Sequence, residues 1–193
     1  MNKSRLEAFS DGVFAIAITL LILDVRLPEV SYDHLWQALK EIIPNILAYV
    51  MSFLVIGMYW VGHHTSFRIV AKTDGVLLWL NILLLLCISF IPFPTSMLGK
   101  YPQGEIPLII YGCNLLATNF IAFLMIKYLH HHPELGSEHF HDKYFNDQMP
   151  VFGTVNGSYL LAIFLAHYSP LASYLIYGVI LILLIVIYVR RTR

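Results

Sequence analysis

The sequence predicts an all-α membrane protein with six transmembrane helices, and two observations support that prediction. Of the 193 residues, 58% are hydrophobic and 12% are charged, whereas soluble domains carry about 25% charged residues. Apolar segments of about 20 residues, the length that crosses a hydrocarbon core about 30 Å thick, recur along the chain. The formal net charge is zero, so the composition does not indicate nucleic acid as a partner. We therefore expect one domain over residues 1–193, embedded in membrane lipid.

Six segments form the expected helices, and prolines mark several of their boundaries. The segments cover about 6–27, 43–62, 76–98, 105–128, 151–168 and 171–189. Pro44 suits the first turn of the second helix. Pro92 and Pro94 lie inside the third segment and predict a kink or an early end there. The one long connection, 129–150, is polar and rich in histidine.

The first segment begins like a secretory signal peptide, with basic residues before an apolar stretch. Glu7 and Asp11 interrupt the basic part, however, and the apolar stretch runs into Asp24 and Arg26 with no small-residue cleavage site. We expect this segment to remain in the mature protein.

Basic residues predict the orientation of the chain in the membrane. With a cytoplasmic N-terminus, nine of them fall on the cytoplasmic side and three on the opposite side. The nine are Lys3, Arg5, Arg68, Lys72, Lys127, Lys143, Arg190, Arg191 and Arg193, and the three are Arg26, Lys40 and Lys100. Because cytoplasmic loops carry the excess of lysine and arginine, we expect both termini to be cytoplasmic.

The first helix carries an apolar stripe along one face. Its members, spaced alternately four and three residues apart, are Phe9, Val13, Ile16, Leu20, Leu23 and Leu27. Asp11 lies on the opposite side of this helix, so we expect it to point toward the rest of the bundle. The same spacing is typical of an ordinary packing seam, which the pattern alone favours.

Polar residues cluster at the cytoplasmic level of the first three helices. They are Arg5, Ser10 and Asp11 in the first, His63 and His64 in the second, and Trp79 and Asn81 in the third. Ionisable groups within a membrane are costly and usually pair in the interior. We expect one buried hydrogen-bonded network with a structural role, which docks the first helix on the second and third.

The stretch RLEAFSD at residues 5–11 matches the R-x-x-x-F-S-D signature of the transmembrane protein 175 family of potassium channels. The similarity extends through AIAITLLILD, YWVGHH and LWLNILLLLCISFIPFPT, so it covers most of the first three segments. With one signature and six segments, the chain resembles the prokaryotic, single-repeat members of that family. The resemblance implies a homotetramer in which the first helix of each subunit lines a central pore. Rotational symmetry suits this arrangement, because one helix cannot enclose a pore.

The resemblance also implies roles for individual residues. The hydrophobic pore constriction falls on Ile16, Leu20 and Leu23, the middle of the apolar stripe, and the pore threonine linked to potassium preference falls on Thr19. The signature network would hold the helices together without touching ions. Its members in this sequence are Arg5, Phe9, Ser10, Asp11, His63, His64, Trp79 and Asn81.

The function implied is a leak-type channel for K⁺ and other monovalent cations, located in a prokaryotic cell membrane and without a bound cofactor. The chain contains no T-V-G-Y-G string and no arginines at every third position, so neither a carbonyl filter nor a voltage sensor is expected. A constriction of Ile and Leu acts by size and dewetting. We therefore expect only modest selectivity for K⁺ over Na⁺.

Two further sites leave alternatives open. Four copies of Asp24 would form an acidic ring at the outer pore mouth, but a salt bridge with Arg26 or Lys40 explains this residue equally well. The histidines of the 129–150 connection are His130, His131, His132, His139 and His141. They lack the spacing of a closed tetrahedral metal site, so we expect a solvated loop that titrates near pH ~6 and no metal.

A secondary transporter, in particular a proton-coupled one, is the strongest competing class. Such proteins often have inverted repeats and helices broken at mid-membrane. No repeat is evident, although Pro92 and Pro94 are compatible with one broken helix. Membrane metal enzymes need several H-x-x-H-H or H-x-x-x-H boxes, and the chain has none, so we do not expect an enzyme.

Overall fold

The computed structural model describes residues 2–136 and 142–191, and this part of the chain is almost entirely helical. The helices are α1 (Lys3–Leu20), α2 (Leu35–Glu41), α3 (Ile43–Arg68), α4 (Gly75–Phe90), α5 (Pro92–Lys100), α6 (Glu105–His131), α7 (Asp142–Ala166) and α8 (Pro170–Arg191). Short 3₁₀ segments lie at Leu21–Asp24, Tyr32–His34 and Pro133–Leu135. Among the described residues, six spans are long and apolar enough to cross a membrane: α1 with its 3₁₀ extension, α3, α4 with α5, α6, α7 and α8. This is the predicted all-α architecture.

Local capping explains where three of these helices begin. The side chain of Asn2 accepts a hydrogen bond from the backbone N–H of Ser4 and caps α1. Asp74 caps α4 in the same way, accepting from the backbone N–H of Leu77 at 2.8 Å. Pro44 occupies the first turn of α3, where a missing N–H costs nothing.

The third membrane span is broken at Ile91, as Pro92 and Pro94 predict. Helix α4 ends at Phe90 and α5 begins at Pro92, because proline cannot donate the backbone hydrogen bond that would continue the helix. Thr95 then fastens α5 to its neighbours, since its hydroxyl contacts Ser52 Oγ of α3 at 2.7 Å. Ser52 in turn donates to the hydroxyl of a tyrosine in α6 at 3.1 Å.

Several helix boundaries differ from those predicted. The first helix ends three residues early, at Asp24, after a 3₁₀ turn. Helix α3 continues to Arg68, and α7 begins at Asp142, inside the connection predicted as a loop, with Pro150 in its interior. Hydropathy marks only the part of a helix that lies in lipid. It therefore misses the polar turns that continue a helix into water, and it also missed the short helix α2.

Helix α1 packs inside the subunit against α3, α4 and α5, while α6 packs against α4, α5, α7 and α8. The main core lies between these groups and includes the fully buried side chains of Ile56, Ile88, Leu108 and Tyr111. Because all the partners of α1 lie on one side of it, its opposite face is left without a partner in the single subunit.

The connection between α3 and α4 is tied to the segment that follows α6. The backbone N–H groups of Ala71 and Lys72 donate to the carbonyl of Leu135 at 2.8 and 3.1 Å, and the hydroxyl of Tyr128 donates to the carboxylate of Asp74. Partial burial raises the pKa of Asp74. The hydrogen bonds from the Tyr128 hydroxyl and the Leu77 backbone N–H outweigh this effect and hold the pKa below its usual value. The carboxylate is thus kept charged at the start of α4.

Candidate functional site

Helix α1 divides cleanly into a buried face and an exposed face. Its buried residues are Leu6, Ser10, Phe14 and Ala17, followed by Leu21 in the 3₁₀ extension. The predicted stripe lies on the other face: Ile16 is 61% exposed, Leu20 43% and Leu23 57%. A packing seam within the subunit would bury these side chains. The stripe therefore does not serve as an internal seam and remains available to lipid or to another subunit.

The change from α-helix to 3₁₀ geometry occurs within this stripe. Ile16 and Leu20 belong to α1, but Leu23 lies in the 3₁₀ extension. Arg26, just beyond it, donates from Nε to the carbonyl of Leu23 at 2.9 Å. This hydrogen bond satisfies a carbonyl at the end of the helix that has no intrahelical donor.

Thr19 is the polar residue on the exposed face between Ile16 and Leu20. Its hydroxyl donates to the carbonyl of Ile16 at 2.9 Å, a local hydrogen bond common for threonine in membrane helices. Because the hydrogen is directed to the backbone, the lone pairs of Oγ1 stay free to accept or to contact a cation.

Asp24, at the end of the 3₁₀ extension, is half-buried. In the described residues it forms no ion pair within 4.0 Å, so the single subunit contains neither of the predicted pairs with Arg26 and Lys40.

Behind the stripe, three of the predicted network residues form a buried hydrogen-bonded chain. Asn81 Nδ2 donates to Ser10 Oγ at 3.0 Å, and Ser10 donates to the carbonyl of Leu6 at 2.9 Å. Asn81 Oδ1 therefore faces His63, whose Nε2 lies 2.8 Å away and donates to it. The chain joins α3, α4 and α1, and every donor in it has an acceptor.

Apolar rings enclose this chain. The His63 ring stacks on Phe67 with centroids 4.3 Å apart and lies 5.5 Å from Phe14. A hydrogen bond is stronger in such a low-dielectric environment than in water, and an unmade one is correspondingly costly. The chain thus fixes how α1 sits on α3 and α4.

Asp11 lies outside this buried chain, at the edge between α1 and α3. It accepts a hydrogen bond from Trp60 Nε1 at 2.8 Å, and Trp60 stacks on His64 with centroids 5.8 Å apart. All three side chains are exposed in the single subunit. Asp11 was expected to point into the bundle, but one residue corresponds to 100° of rotation, which places it beside Ser10 and not behind it.

Arg5, Phe9 and Trp79 do not join either group within the subunit. Phe9 is 57% exposed and Trp79 is 64% exposed, and Arg5 is also exposed. Within residues 2–136 and 142–191, neither Arg5 nor Trp79 forms a side-chain hydrogen bond. The structure thus divides the predicted network into a buried chain, an exposed pair with its stacked histidine, and three surface residues.

Trp60 is a residue of this site that the sequence did not predict. The string YWVGHH includes it, but no role was assigned to it. Its signal is the four-residue spacing to His64, which puts both rings on one helix face, together with an indole N–H that needs an acceptor.

The histidines of the 129–150 connection do not form a metal site in the described residues. His132 Nδ1 lies 2.9 Å from Glu134. A backbone hydrogen bond and this histidine together hold the pKa of Glu134 below its usual value. The His130 ring stacks on Phe145 at 4.1 Å. His139 and His141 lie outside the described residues.

Comparison with known proteins gives the family. The model of the family described as "Endosomal/lysosomal potassium channel TMEM175" matches residues 5–92. A crystal structure described as a lysosomal potassium-selective channel TMEM175 homolog from Chamaesiphon minutus superposes with a TM-score of 0.81 at 34% identity, covering 95% of this chain and 96% of that one. The chain belongs to the TMEM175 family. It is thus an integral membrane protein of an ion-channel family.

Two bacterial proteins are also similar in sequence. A protein named a potassium channel from Streptomyces collinus is 54% identical over 107 residues, which cover 54% of this chain and 52% of that protein. A potassium channel from a Chryseobacterium species is 41% identical over 127 residues, covering 66% of this chain and 64% of the relative. The chain therefore spans between half and two thirds of the length of these relatives.

Proposed function

We propose that this TMEM175 protein is a potassium-permeable, leak-type cation channel, built as a homotetramer with α1 of each subunit around a central pore. Its bacterial relatives and its structural neighbour are named as potassium channels. The names of these relatives support K⁺ as the permeating ion, and the exposed surface of α1 is the candidate for the path of the ion.

The exposed stripe of α1 carries this proposal. Ile16, Leu20 and Leu23 are exposed in the single subunit, and the buried chain from His63 to Ser10 holds a different face of the helix. One helix cannot enclose a pore, but four copies related by rotation bring the same face to one axis. The exposed surface of α1 is thus the subunit's candidate for a pore lining.

The proposed constriction consists of rings of Ile16, Leu20 and Leu23. Branched alkyl groups offer no hydrogen bonds, so a narrow ring of them drains of water, and an ion meets a desolvation barrier. Such a barrier depends on ion size and hydration. It therefore favours K⁺ over Na⁺ only modestly, and Thr19 Oγ1 adds a polar contact between the rings.

At the outer mouth, four copies of Asp24 would concentrate cations, since no ion pair inside the described subunit neutralises this carboxylate. At the other end, the exposed pair of Asp11 and Trp60 lies on the side of α1 away from the stripe and is suited to contact a neighbouring subunit. The charge distribution supports cytoplasmic termini, and the bacterial relatives favour a prokaryotic cell membrane. In this proposal the protein is not an enzyme, needs no cofactor and does not bind nucleic acid.

Ion flux through the purified protein in liposomes tests the proposal. We expect rapid efflux driven by a K⁺ gradient, slower flux with Na⁺, and a linear increase with concentration. Matched vesicles without protein are the control. A secondary transporter would instead saturate at low millimolar concentration and would need a counter-ion or proton gradient. Flux that collapses when the proton gradient is removed would favour that alternative and reject the channel.

A further inference from the structure

The connection between the first two membrane spans exposes an apolar stripe that the proposed channel function does not use. The connection contains the 3₁₀ turn Tyr32–His34 and the short helix α2. Its exposed apolar side chains recur at spacings of four, three and four residues, which place them on one face of a helix. They are Tyr32, Trp36, Leu39 and Ile43. Tyr32 is 87% exposed and Trp36 70%, so the described subunit leaves this face uncovered.

The remaining residues of the segment form a packed face and a polar face. Ala38 is buried and Leu35 and Ile42 are half-buried, and α2 packs against α3. The exposed polar side chains are Asp33, His34, Gln37, Lys40 and Glu41. At 100° per residue, the centres of the three faces point about 100° or more apart. A helix with one face on protein, one polar face and one apolar face suits the boundary between water and a bilayer.

The position of α2 along the chain identifies the depth of this stripe. The membrane-spanning helix α3 starts at Ile43, and Trp36 precedes Ile43 by seven residues. Along a helix that distance is at most about 10 Å. The headgroup layer on each side of the hydrocarbon is roughly 5–8 Å thick. The stripe therefore lies at the level of the headgroups, in the leaflet opposite the N-terminus.

The stripe also continues onto the exposed surface of α3. Ile42, between the two helices, keeps right-handed helical φ and ψ values of −88° and −1°, so the helical phase is preserved from α2 to α3. Exposed apolar residues of α3 follow Ile43 at the same spacings of four, three and four: Leu47, Val50 and Leu54. The stripe on α2 is thus the outward extension of an apolar surface on a membrane span.

The side chains at the polar edge of the stripe match a phospholipid headgroup. Tryptophan and tyrosine combine an apolar ring with a polar N–H or O–H, and both are enriched where hydrocarbon meets water. Lys40 Nζ lies 5.6 Å from the centroid of the Trp36 ring. Among the described residues, no carboxylate lies within 4.0 Å of this ammonium group. A lysine at this depth extends to lipid phosphates, whereas lysine is depleted from interfaces between protein subunits. Lipid therefore fits this face better than a second copy of the chain.

We propose that α2 is an interfacial anchor that binds phospholipid headgroups in the leaflet opposite the N-terminus. The rings of Tyr32 and Trp36 lie among the headgroups, and Lys40 contacts a lipid phosphate. Leu39 and Ile43 meet the first carbons of the acyl chains. The anchor fixes the depth of the connection between the first two spans.

Fluorescence quenching measures the depth of Trp36 in a bilayer. The purified protein is reconstituted into phosphatidylglycerol vesicles that carry a nitroxide either on the headgroup or at the end of an acyl chain. The emission lost in Trp36→Phe is the share of Trp36, so Trp60 and Trp79 need no substitution. We expect the headgroup nitroxide to quench this share more strongly than the chain-end nitroxide does.

Three results of this measurement would overturn the anchor. Quenching of Trp36 by aqueous acrylamide but by neither nitroxide would place α2 in water. Protection of Trp36 from all three quenchers would show that a second copy of the chain covers the stripe. Stronger quenching by the chain-end nitroxide would place the ring in the hydrocarbon, away from the headgroups.

Native mass spectrometry of the protein with added phosphatidylglycerol tests the phosphate contact. Lys40→Gln should weaken the most tightly held lipid about five-fold, as expected for the loss of one lysine at a lipid surface. Trp36→Ser removes the ring beside this lysine and should also weaken retention. Gln37→Ser, on the polar face of the same helix, is the matched control and should leave retention unchanged. All three side chains are exposed, so these substitutions spare the packed face.

Retention that is unchanged in both Lys40→Gln and Trp36→Ser would reject the headgroup contact. An equal loss of retention in Gln37→Ser would also reject it, because the effect would then not belong to the stripe. Neither measurement uses ion flux. A protein without flux would therefore reject the proposed channel and leave the result on the anchor intact.

Discussion

Thr19 shows how one residue can serve both structure and function on the proposed pore face. Its hydroxyl hydrogen is committed to the carbonyl of Ile16, so only the oxygen lone pairs face outward. That arrangement suits a cation better than an anion. A substitution that removes this oxygen can therefore test whether it contacts the permeating ion.

Replacing Thr19 with valine keeps the shape of the side chain and removes the oxygen. We expect Thr19→Val to reduce the preference for K⁺ over Na⁺, measured as the shift of the reversal potential in mixed solutions, with little loss of stability. Thr154→Val is the matched control, because Thr154 is also exposed and donates to its own helix backbone at 2.8 Å. Identical reversal potentials in all three proteins would assign the Thr19 hydroxyl to its backbone hydrogen bond alone.

Asp11 gives the second prediction at this scale. Asp11→Asn keeps the size of the side chain and an oxygen that can accept from Trp60, but it removes the negative charge. We expect thermal stability and assembly to fall by about 1 kcal/mol, the difference between a hydrogen bond to a charged acceptor and one to a neutral acceptor, while the ion ranking stays the same. Size-exclusion chromatography and thermal unfolding measure this, with Asp33→Asn in the exposed outer connection as control. A fully stable assembly with altered ion ranking would instead place Asp11 in the ion path.

These residues show how much of the site could be predicted from the sequence. Ser10, His63 and Asn81 were expected in one network, and the structure brings them within hydrogen-bonding distance. The expected position of Asp11 differs because the helical repeat separates opposite faces well but does not resolve the boundary between them. Trp60 was missed because only the packing angle of α1 against α3 decides which indole meets the carboxylate.

At the scale of secondary-structure elements, close helix packing makes a glycine necessary at position 112. A Cβ added to Gly112 of α6 would clash with the hydroxyl of Tyr177 in α8 and would lie 2.6 Å from Ile163 Cγ1 in α7. Three helices therefore meet at one point, where only a hydrogen side chain fits.

Gly112→Ala should destabilise the protein by about 1–3 kcal/mol, the typical cost of overpacking a core. The matched control is Gly157→Ala in α7, where an added Cβ meets nothing within 4 Å. The control should raise stability slightly, because alanine is favoured over glycine by about 1 kcal/mol inside a helix. Thermal unfolding of both variants in the same detergent compares them, and equal stabilities would contradict the packing at this point.

Asp74 gives a pH-dependent prediction for the start of α4. Its pKa is lower in the folded protein than its usual 3.8, so its stabilising contribution is present above that value and is lost as the pH falls through the lowered one. Asp74→Ala should cost about 1 kcal/mol at neutral pH, as loss of a helix cap does. The difference between this variant and the unmodified protein should shrink as the pH falls below 3.8 and through the lowered pKa of Asp74. Tyr128→Phe, which removes one hydrogen bond to this carboxylate, should show a smaller cost with the same pH trend. A cost that is independent of pH would show that charge plays no part.

The helices themselves were more predictable than their ends. Hydropathy identified all six membrane spans, and the prolines located the break at Ile91, because both signals are local. The 3₁₀ turn at Leu21–Asp24 and the start of α7 at Asp142 depend on hydrogen bonds and packing outside the apolar stretches. No pattern of hydrophobic residues contains that information.

At the scale of the whole molecule, the subunit is asymmetric in what it exposes. Helices α7 and α8 also expose large apolar side chains, such as Leu160 at 58% and Ile182 at 62%, and lipid suits these surfaces. The surface of α1 differs in that it also carries carboxylates: the hydrogen-bonded Asp11 on the side away from the stripe and, at the outer end, Asp24. Lipid tails cannot satisfy such polar groups, and this difference favours a water-filled axis over lipid.

The pore assignment predicts that polar substitutions in the stripe open the constriction. In Ile16→Asn or Leu20→Asn, the amide admits water into the narrow ring and lowers the desolvation barrier for ions. We expect larger currents, with Na⁺ flux rising more than K⁺ flux, measured by liposome flux or patch clamp alongside thermal unfolding.

The matched control is Leu160→Asn on α7, whose side chain is equally apolar and 58% exposed. Because α7 lies away from α1, the same amide there has no ion path to hydrate and should leave flux unchanged. If the stripe faces lipid or a sealed interface, the α1 variants should behave like Leu160→Asn, losing stability without gaining flux. Stable α1 variants with unchanged or abolished flux would therefore reject the pore assignment, whereas variants that leak Na⁺ as well as K⁺ would place Ile16 and Leu20 at the barrier itself.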